Sequence, residues 1–257
     1  MTDLTTALQA ALDITGAAAR ISAGAFASPP PADLKEDESP VTRADRDTEL
    51  SIRDALSEKF PEDGIFGEEF GTAGLDRARI WVVDPIDGTK SFITGVPLFG
   101  MLLALVEDGL PQLGIIRLPA LGTVYTGLRG KGAEKDGAPI AVSGCTALAE
   151  ATLFVNEGEK IHAADPALFG RLCRAGKLRR MSYDCQPHAL VAEGRIDAVV
   201  DYDLKPYDYL PVAAVVEAAG GIMTDWDGKP LDFDSDGRVV TAATPELHAE
   251  LLDLVRG

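Results

Sequence analysis

The sequence predicts an α/β (α+β) fold, with an antiparallel sheet in the N-terminal half and a smaller α/β C-terminal half. Three observations carry that expectation. Short apolar runs separated by tight turns crowd residues 99–142. Strand-like and helix-like segments alternate from residue 152 to 256. Upstream of both, a β-branched apolar run from Ile80 to Val83 ends abruptly in Asp84-Pro85. That run reads as a buried strand whose far end delivers carboxylates to a turn. A chain of 257 residues suffices for one large domain or for two subdomains sharing a core. No long linker separates the halves, so we expect a single domain over 1–257 with subdomains at about 1–145 and 146–257.

The elements follow in order. Residues 3–26 carry an imperfect helical stripe, and Ser28-Pro29-Pro30-Pro31 stops it. Residues 35–40 are polar and charged and read as a mobile loop. Thr42 is a candidate N-cap for a second helix, and Asp45 suits its dipole. Ile52, Ala55, Leu56 and Phe60 continue its inner face, and Pro61 closes it. Ile65-Phe66 is a short strand ending at Gly67-Glu68-Glu69. Strands at 99–106 and 113–117 flank an Asp108-Gly109 turn, with further hairpins over 122–127 and 135–142. In the second half, strands are expected over 152–155, 177–183, 197–201, 222–226 and 239–242. Helices are expected over 166–174, up to 193 with Asp184 as its cap, over 209–219 and over 245–256, the last with Thr244 as N-cap. Gly220-Gly221 suits a helix C-terminus. Such alternation indicates an α/β half packed on an antiparallel one.

Composition excludes several classes of function. The net charge of −17 opposes nucleic acid and anionic membranes as partners. No run approaches the roughly 20 apolar residues of a membrane span. Met1-Thr2-Asp3 lacks the basic start of a secretory signal. Cys145, Cys173 and Cys185 are odd in number and widely spaced, which fits neither a zinc site nor a disulfide scaffold. A cytoplasmic protein is expected.

The chemistry concentrates after the Ile80 run. Asp84 and Asp87 lie three residues apart with Pro85 fixing the backbone between them, and Gly88-Thr89 follow at once. Carboxylates gathered in one place repel unless a cation sits among them. Hard oxygen ligands suit Mg²⁺. A Gly-Thr turn opening a helix offers N–H groups and a hydroxyl to phosphate. Other motifs carry less. Arg129-Gly130-Lys131-Gly132 lacks the strand-loop-helix setting of a phosphate loop. Asp232 to Gly237 matches half of a calcium loop, but Ala243 stands where such a loop needs Glu. His162, His188 and His248 are scattered, and no second histidine shares the His188 face.

Asp84-Pro85-Ile86-Asp87-Gly88-Thr89 resembles the signature of the inositol monophosphatase family of Mg²⁺-dependent phosphomonoesterases. Phe66-Gly67-Glu68-Glu69 upstream, and Asp208 before Glu217-Ala218-Ala219-Gly220-Gly221 downstream, stand where that family has its other pieces. The resemblance implies a layered αβαβα sugar-phosphatase-like fold. It implies metal ligands at Glu68, Asp84, Asp87, Asp208 and the Ile86 carbonyl, holding two or three Mg²⁺ ions. It implies phosphate contacts from Gly88 and Thr89, with Asp45 behind Thr89 to orient the attacking water. Lys35 matches a lysine near the phosphate, and a homodimer is expected by the same likeness. Helix capping is the competing role for Asp45 and Asp208.

Lys90-Ser91-Phe92-Ile93-Thr94-Gly95, Leu204-Lys205-Pro206-Tyr207-Asp208 and Asp184-Cys185 look like the histidinol-phosphate phosphatase branch, although the sequence departs from it around Tyr183 and Gln186-Pro187. Asp184 and Asp201 then border the substrate, whose ammonium and imidazole call for carboxylates. A solvated strand end is the competing role for Asp201. The expected reaction is hydrolysis of L-histidinol phosphate, a step of histidine biosynthesis. The alternatives are inositol 1-phosphate, 3′-phosphoadenosine 5′-phosphate or a sugar phosphate as substrate, and a catalytically dead metal-binding protein.

Overall fold

The computed structural model describes residues 3–28, 30–35 and 40–257. The mobile loop expected at 35–40 falls mostly on residues 36–39, outside the described residues. The chain opens with α1 (Leu4–Phe26), a hairpin of β1 (Ala32–Leu34) and β2 (Pro40–Thr42), and α2 (Arg43–Lys59). Next come β3 (Gly64–Gly67), β4 (Gly71–Ala73), β5 (Arg79–Asp87) and α3 (Thr89–Thr94). Strands β6 (Gly100–Glu107), β7 (Leu110–Leu118), β8 (Thr123–Leu128), β9 (Gly132–Lys135) and β10 (Ala138–Ile140) complete an eight-stranded sheet ordered β10-β9-β8-β7-β6-β5-β3-β4. It is antiparallel except at one place, where β3 runs parallel to β5. That exception brings the ends of two strands, with Glu68 and Asp84, to the same edge.

The second half contains β11 (Thr152–Asn156), α4 (Gly158–Ala164), α5 (Pro166–Leu172), β12 (Leu178–Ser182), α6 (Gln186–Ala192), β13 (Ala198–Asp201), α7 (Pro206–Ala218), β14 (Ile222–Asp225), β15 (Val239–Ala242) and α8 (Pro245–Arg256). Its five strands are ordered β12-β11-β13-β15-β14, parallel through the first three and antiparallel beyond. Helix α4 lay hidden in the sequence because Glu157 opens it in a left-handed conformation rather than as an ordinary cap.

The result is five layers, αβαβα. Helices α1 and α2 cover one face of the large sheet through Ala7, Ala11, Ile52 and Leu56 against Trp81, Val83, Leu103 and Leu113. Helices α6 and α7 cover the other face through Ala189, Tyr209, Val212 and Val216. Val191 of α6 turns to the small sheet, against Phe154 and Val199. Helices α4, α5 and α8 close the far side on Leu153, Val200 and Val240. Burial on both faces explains the near-continuous apolar runs of β5 and β6.

Helix α7 sits unusually close to the large sheet. A Cβ at Gly114 would stand 2.3 Å from the Pro211 carbonyl, and one at Gly127 2.5 Å from the Ala214 carbonyl. Only glycine lets backbone approach backbone this closely. Among the described residues no helix is long and apolar enough to cross a membrane. Thr42 caps α2 and Thr244 caps α8, as read from the sequence.

Two expected caps differ from the structure. Asp184 does not cap α6. It has a positive φ of 62°, and Cys185 takes the cap position. Helix α7 begins at Pro206, three residues earlier than expected, because Pro is well placed in a first helical turn. Asp208 is therefore inside the helix, and its carboxylate reaches back to accept from the Lys205 amide at 2.7 Å.

Candidate active site

Asp84 and Asp87 would point to opposite faces of a regular strand. The structure resolves this with a bulge. Asp84 pairs with Leu102 and Asp87 with Gly100, so three steps on β5 match two on β6. The extra residue re-aims the strand end, and Pro85 is tolerated there because no ladder bond is needed. Both carboxylates thereby reach one side. Asp208 joins them from the first turn of α7, and oxygens of Asp84, Asp87 and Asp208 lie within 4.8 Å of one another. Glu68, beyond the end of β3, approaches Asp84. Thus the structure brings together four of the side chains expected to hold metal.

Their electrostatics are those of a cation site. Burial, then the charges of Glu68, Asp87 and Asp208, push the Asp84 carboxyl well up. Burial and Asp208 raise Asp87 to about 7, although the Cys185 amide donates to its Oδ2 at 2.6 Å. Burial, with Glu68 and Asp201, raises Asp208 to about 7. Hard oxygens crowded this way resist ionising together and are satisfied by a divalent cation. The donor set fits Mg²⁺ or a similar ion.

A lysine and a second acid back this edge. Lys35 Nζ sits 2.7 Å from both Glu68 Oε1 and Glu69 Oε1. Burial opposes its charge, but these two partners raise its pKa overall. Burial, Glu68 and Asp45 still lift Glu69 to about 7 against the pull of Lys35. The fully buried Glu49 accepts from the amides of Glu69 at 2.7 Å and Phe70 at 3.2 Å, which shapes the Glu68 loop. Sequence reasoning passed over Glu49. The signal was there: it falls four residues after Asp45 on the inner stripe that Ile52 and Leu56 continue.

Asp45 serves both competing roles. Its Oδ2 accepts from the Thr42 amide at 2.8 Å, completing a capping box on α2. Its Oδ1 accepts from Thr89 Oγ1 at 3.2 Å. Thr89 Oγ1 also stands 3.3 Å from the Ile86 carbonyl. One hydroxyl proton serves only one acceptor at a time. Gly88 caps α3 with φ of 84°, and a Cβ there would fall 2.4 Å from the Asp184 carboxyl carbon. The glycine therefore lets the two halves of the chain meet.

A cleft of about 180 Å³ opens above these groups. Its walls include Glu68, Asp87, Gly88, Thr89, Asp184, Asp201 and Asp208. Asp184 accepts from Ser91 Oγ at 2.5 Å, and burial followed by the Asp87 charge raises it to about 8. Asp201 is not a solvated strand end: it is 1% exposed. Glu157, Lys160 and Asp203 form the lip, with Lys160 Nζ 2.8 Å from Glu157 and 3.1 Å from Asp203. The Asp232 to Gly237 stretch has a structural task. A Cβ at Gly237 would stand 2.2 Å from the Leu204 carbonyl, and the Asp232 carbonyl accepts from Tyr209 Oη at 2.7 Å. This loop clasps the start of α7 and so places Asp208.

The profile of the inositol monophosphatase family matches residues 3–257. The chain belongs to that family. The family's enzymes are metal-dependent, and the chain is a phosphoric monoester hydrolase. It is 43% identical over 178 residues to a histidinol-phosphatase of Chlorobaculum parvum, covering 67% of each chain. It is 38% identical over 176 residues to a histidinol-phosphatase of Mycobacterium tuberculosis, covering 66% of this chain and 67% of that one. Among solved structures, an inositol monophosphatase from Zymomonas mobilis superposes with a TM-score of 0.89, at 36% identity and full coverage of both chains.

Proposed function

We propose that the chain hydrolyses L-histidinol phosphate to L-histidinol and phosphate, in the cytoplasm and as a homodimer. One observation carries the substrate: beyond the metal-facing acids, the cleft presents two further carboxylates, the half-buried Asp184 and the buried Asp201. Glu157 and Asp203 are already answered by Lys160, whereas among the described residues neither Asp184 nor Asp201 pairs with a lysine or arginine. Carboxylates in that position suit an ammonium or imidazolium, while a neutral polyol would be served by uncharged partners. The histidinol-phosphatase relatives support the same choice. The alternative, an inositol or sugar phosphate, draws its support from the Zymomonas mobilis inositol monophosphatase.

In this reading Glu68, Asp84, Asp87, Asp208 and the Ile86 carbonyl would hold two or three Mg²⁺ ions. When bound, the ions acidify water and offset charge on the departing alkoxide. The chain's own groups orient the reactants. Thr89, donating to Asp45, turns its oxygen lone pairs toward the attacking water. The first-turn amides at Gly88 and Thr89 receive phosphate oxygens. Asp184 and Asp201 hold the alcohol end of the ester.

The dimer has support in β12, an edge strand whose residues are exposed along most of its length. Leu178, Met181 and Tyr183 expose 50, 43 and 47% of their surface there, and such an edge invites cover. A cytoplasmic setting suits three cysteines that are all free.

Phosphate release from purified enzyme with excess Mg²⁺ tests the substrate. We expect kcat/KM for histidinol phosphate at least about tenfold above that for inositol 1-phosphate, the scale of one well-placed charged contact. The reverse order would replace the reading with its alternative. No release from any monoester would favour the catalytically dead one.

A further inference from the structure

Beneath the cleft lies a buried polar network that metal chemistry does not use. Asp201 Oδ2 is held by Asn156 Nδ2 at 2.7 Å and by His188 Nε2 at 2.9 Å. Its Oδ1 accepts from the Tyr202 amide at 2.8 Å. The far side of the imidazole, Nδ1, lies 2.9 Å from Thr241 Oγ1. Asn156, His188 and Asp201 are each 1% exposed, and Thr241 is fully buried. A carboxylate only accepts, so Nε2 carries a proton, while the threonine hydroxyl at Nδ1 can donate or accept. Four elements thus meet in one network: the end of β11, the first turn of α6, the end of β13 and the middle of β15.

Asn156 does a second thing. The same Nδ2 donates to the Asp184 backbone carbonyl at 3.0 Å. Both of its partners are acceptors, which fixes the amide's orientation. Its Oδ1 has no hydrogen-bond partner among the described residues. An apolar side chain would avoid burying that lone acceptor. Asn instead supplies two donors from one atom, and these tie Asp184 to Asp201. Asp184 needs such a tie because its backbone is in the left-handed region, at φ 62°, where a non-glycine residue is held only by its surroundings.

We propose that Asn156 and His188 are positioning residues that lock Asp184 and Asp201 into one rigid pair and thereby set which alcohol the cleft accepts. The proposal rests on the reading above that these carboxylates face the alcohol end of the ester. The side-chain hydrogen bonds of Asn156 and His188 end on Asp201, Thr241 and the Asp184 carbonyl and none goes to Gly88 or Thr89, so their effect belongs in substrate discrimination. Freed of His188, Asp201 would keep only its contacts to Asn156 and the Tyr202 amide, and a directional contact to a cationic alcohol would weaken.

The test is steady-state kinetics on His188→Ala, His188→Gln and Asn156→Ala, with Mg²⁺ in excess. The substrates are histidinol phosphate, inositol 1-phosphate and p-nitrophenyl phosphate, whose leaving group carries no amine. For His188→Ala and Asn156→Ala we expect KM for histidinol phosphate to rise about tenfold, kcat to change by less than about threefold, and p-nitrophenyl phosphate hydrolysis to fall by less than about threefold. His188→Gln returns a donor to roughly the same place and should recover most of the KM. Equal losses on both esters at unchanged melting temperature would overturn the proposal, as would no change on either. If an alanine variant fails to fold, Asn156→Leu decides, since it removes both donors and roughly keeps the volume. A KM raised on histidinol phosphate alone supports the proposal, and a uniform loss or no change on either ester overturns it. A wild type that prefers inositol 1-phosphate sinks the substrate reading instead. The proposal then stands or falls on whether the same split appears between inositol 1-phosphate and p-nitrophenyl phosphate.

Discussion

The Cys185 amide donates to the Asp87 carboxylate across 2.6 Å, so the N-cap of α6 in one half of the chain holds an acid at the end of β5 in the other. The contact leaves no room beneath it: a Cβ at Gly100 would stand 2.3 Å from Cys185 Sγ. Gly100→Ala must therefore push the thiol, and its amide, away from Asp87. We expect the Mg²⁺ concentration for half-maximal activity to rise about tenfold or more, the usual cost of disturbing a group behind a metal ligand. Metal titrations of activity on the folded variant check this.

Asp84→Asn separates activity from stability. Asp84 lies amid three other acids. Removing its charge should lower kcat/KM by about a thousandfold, and it should raise the melting temperature of the metal-free protein because like charges no longer crowd. Calorimetry beside phosphate release reads both. A drop in melting temperature together with retained hydrolysis would refute the role given to Asp84.

A pH dependence follows from the same crowding. In the metal-free protein Asp87 and Asp208 lie near 7, against an ordinary value of 3.8. The folded state thus binds protons more tightly than the unfolded chain between those values, and stability falls as pH rises through that interval. Below about pH 4 both states are protonated and the penalty is absent; above the folded values it is complete. Metal-free protein should lose about 5 °C or more of melting temperature between pH 5 and pH 8, while saturating Mg²⁺ should flatten or reverse the trend. A metal-free curve that rises with pH would contradict this.

Thr89 and Asp45 act as a unit. Thr89→Ala and Asp45→Asn should each lower kcat by about a hundredfold, and the double variant should cost little more than either alone. Asp45→Asn should also loosen the α2 cap, by about 1 kcal/mol. Kinetics on the three variants, with thermal melts, check the two effects separately.

Packing supplies a prediction remote from chemistry. Gly114→Ala places a methyl 2.3 Å from the Pro211 carbonyl. Overpacking of this kind costs about 1–3 kcal/mol. Denaturant melts should show that loss, and kcat should fall with it because Asp208 rides on the displaced helix.

Much of the candidate site was legible in sequence because its acids sit where chain patterns end. The apolar run of β5 stops at Asp84, and Pro206 and Gly220 bracket the helix of Asp208. What escaped was set by three-dimensional context. The bulge between Asp84 and Asp87 depends on pairing with Leu102 and Gly100, which no local pattern records. Asp184 looked like a helix cap because the residue type and spacing allowed it. The close approach of Gly88 instead draws it toward Ser91. His188 stood alone in sequence because its partners, Asp201 and Thr241, come from two separate strands.

Helix α7 lies between the two sheets and belongs to both. A polypeptide cut between residues 143 and 147 would leave Glu68, Asp84 and Asp87 on one fragment and Asp208 on the other. Neither fragment alone would bury this helix or gather the full acidic set. Hydrolysis would return only on complementation, so the severed enzyme would serve as a proximity reporter for whatever proteins were fused to its pieces.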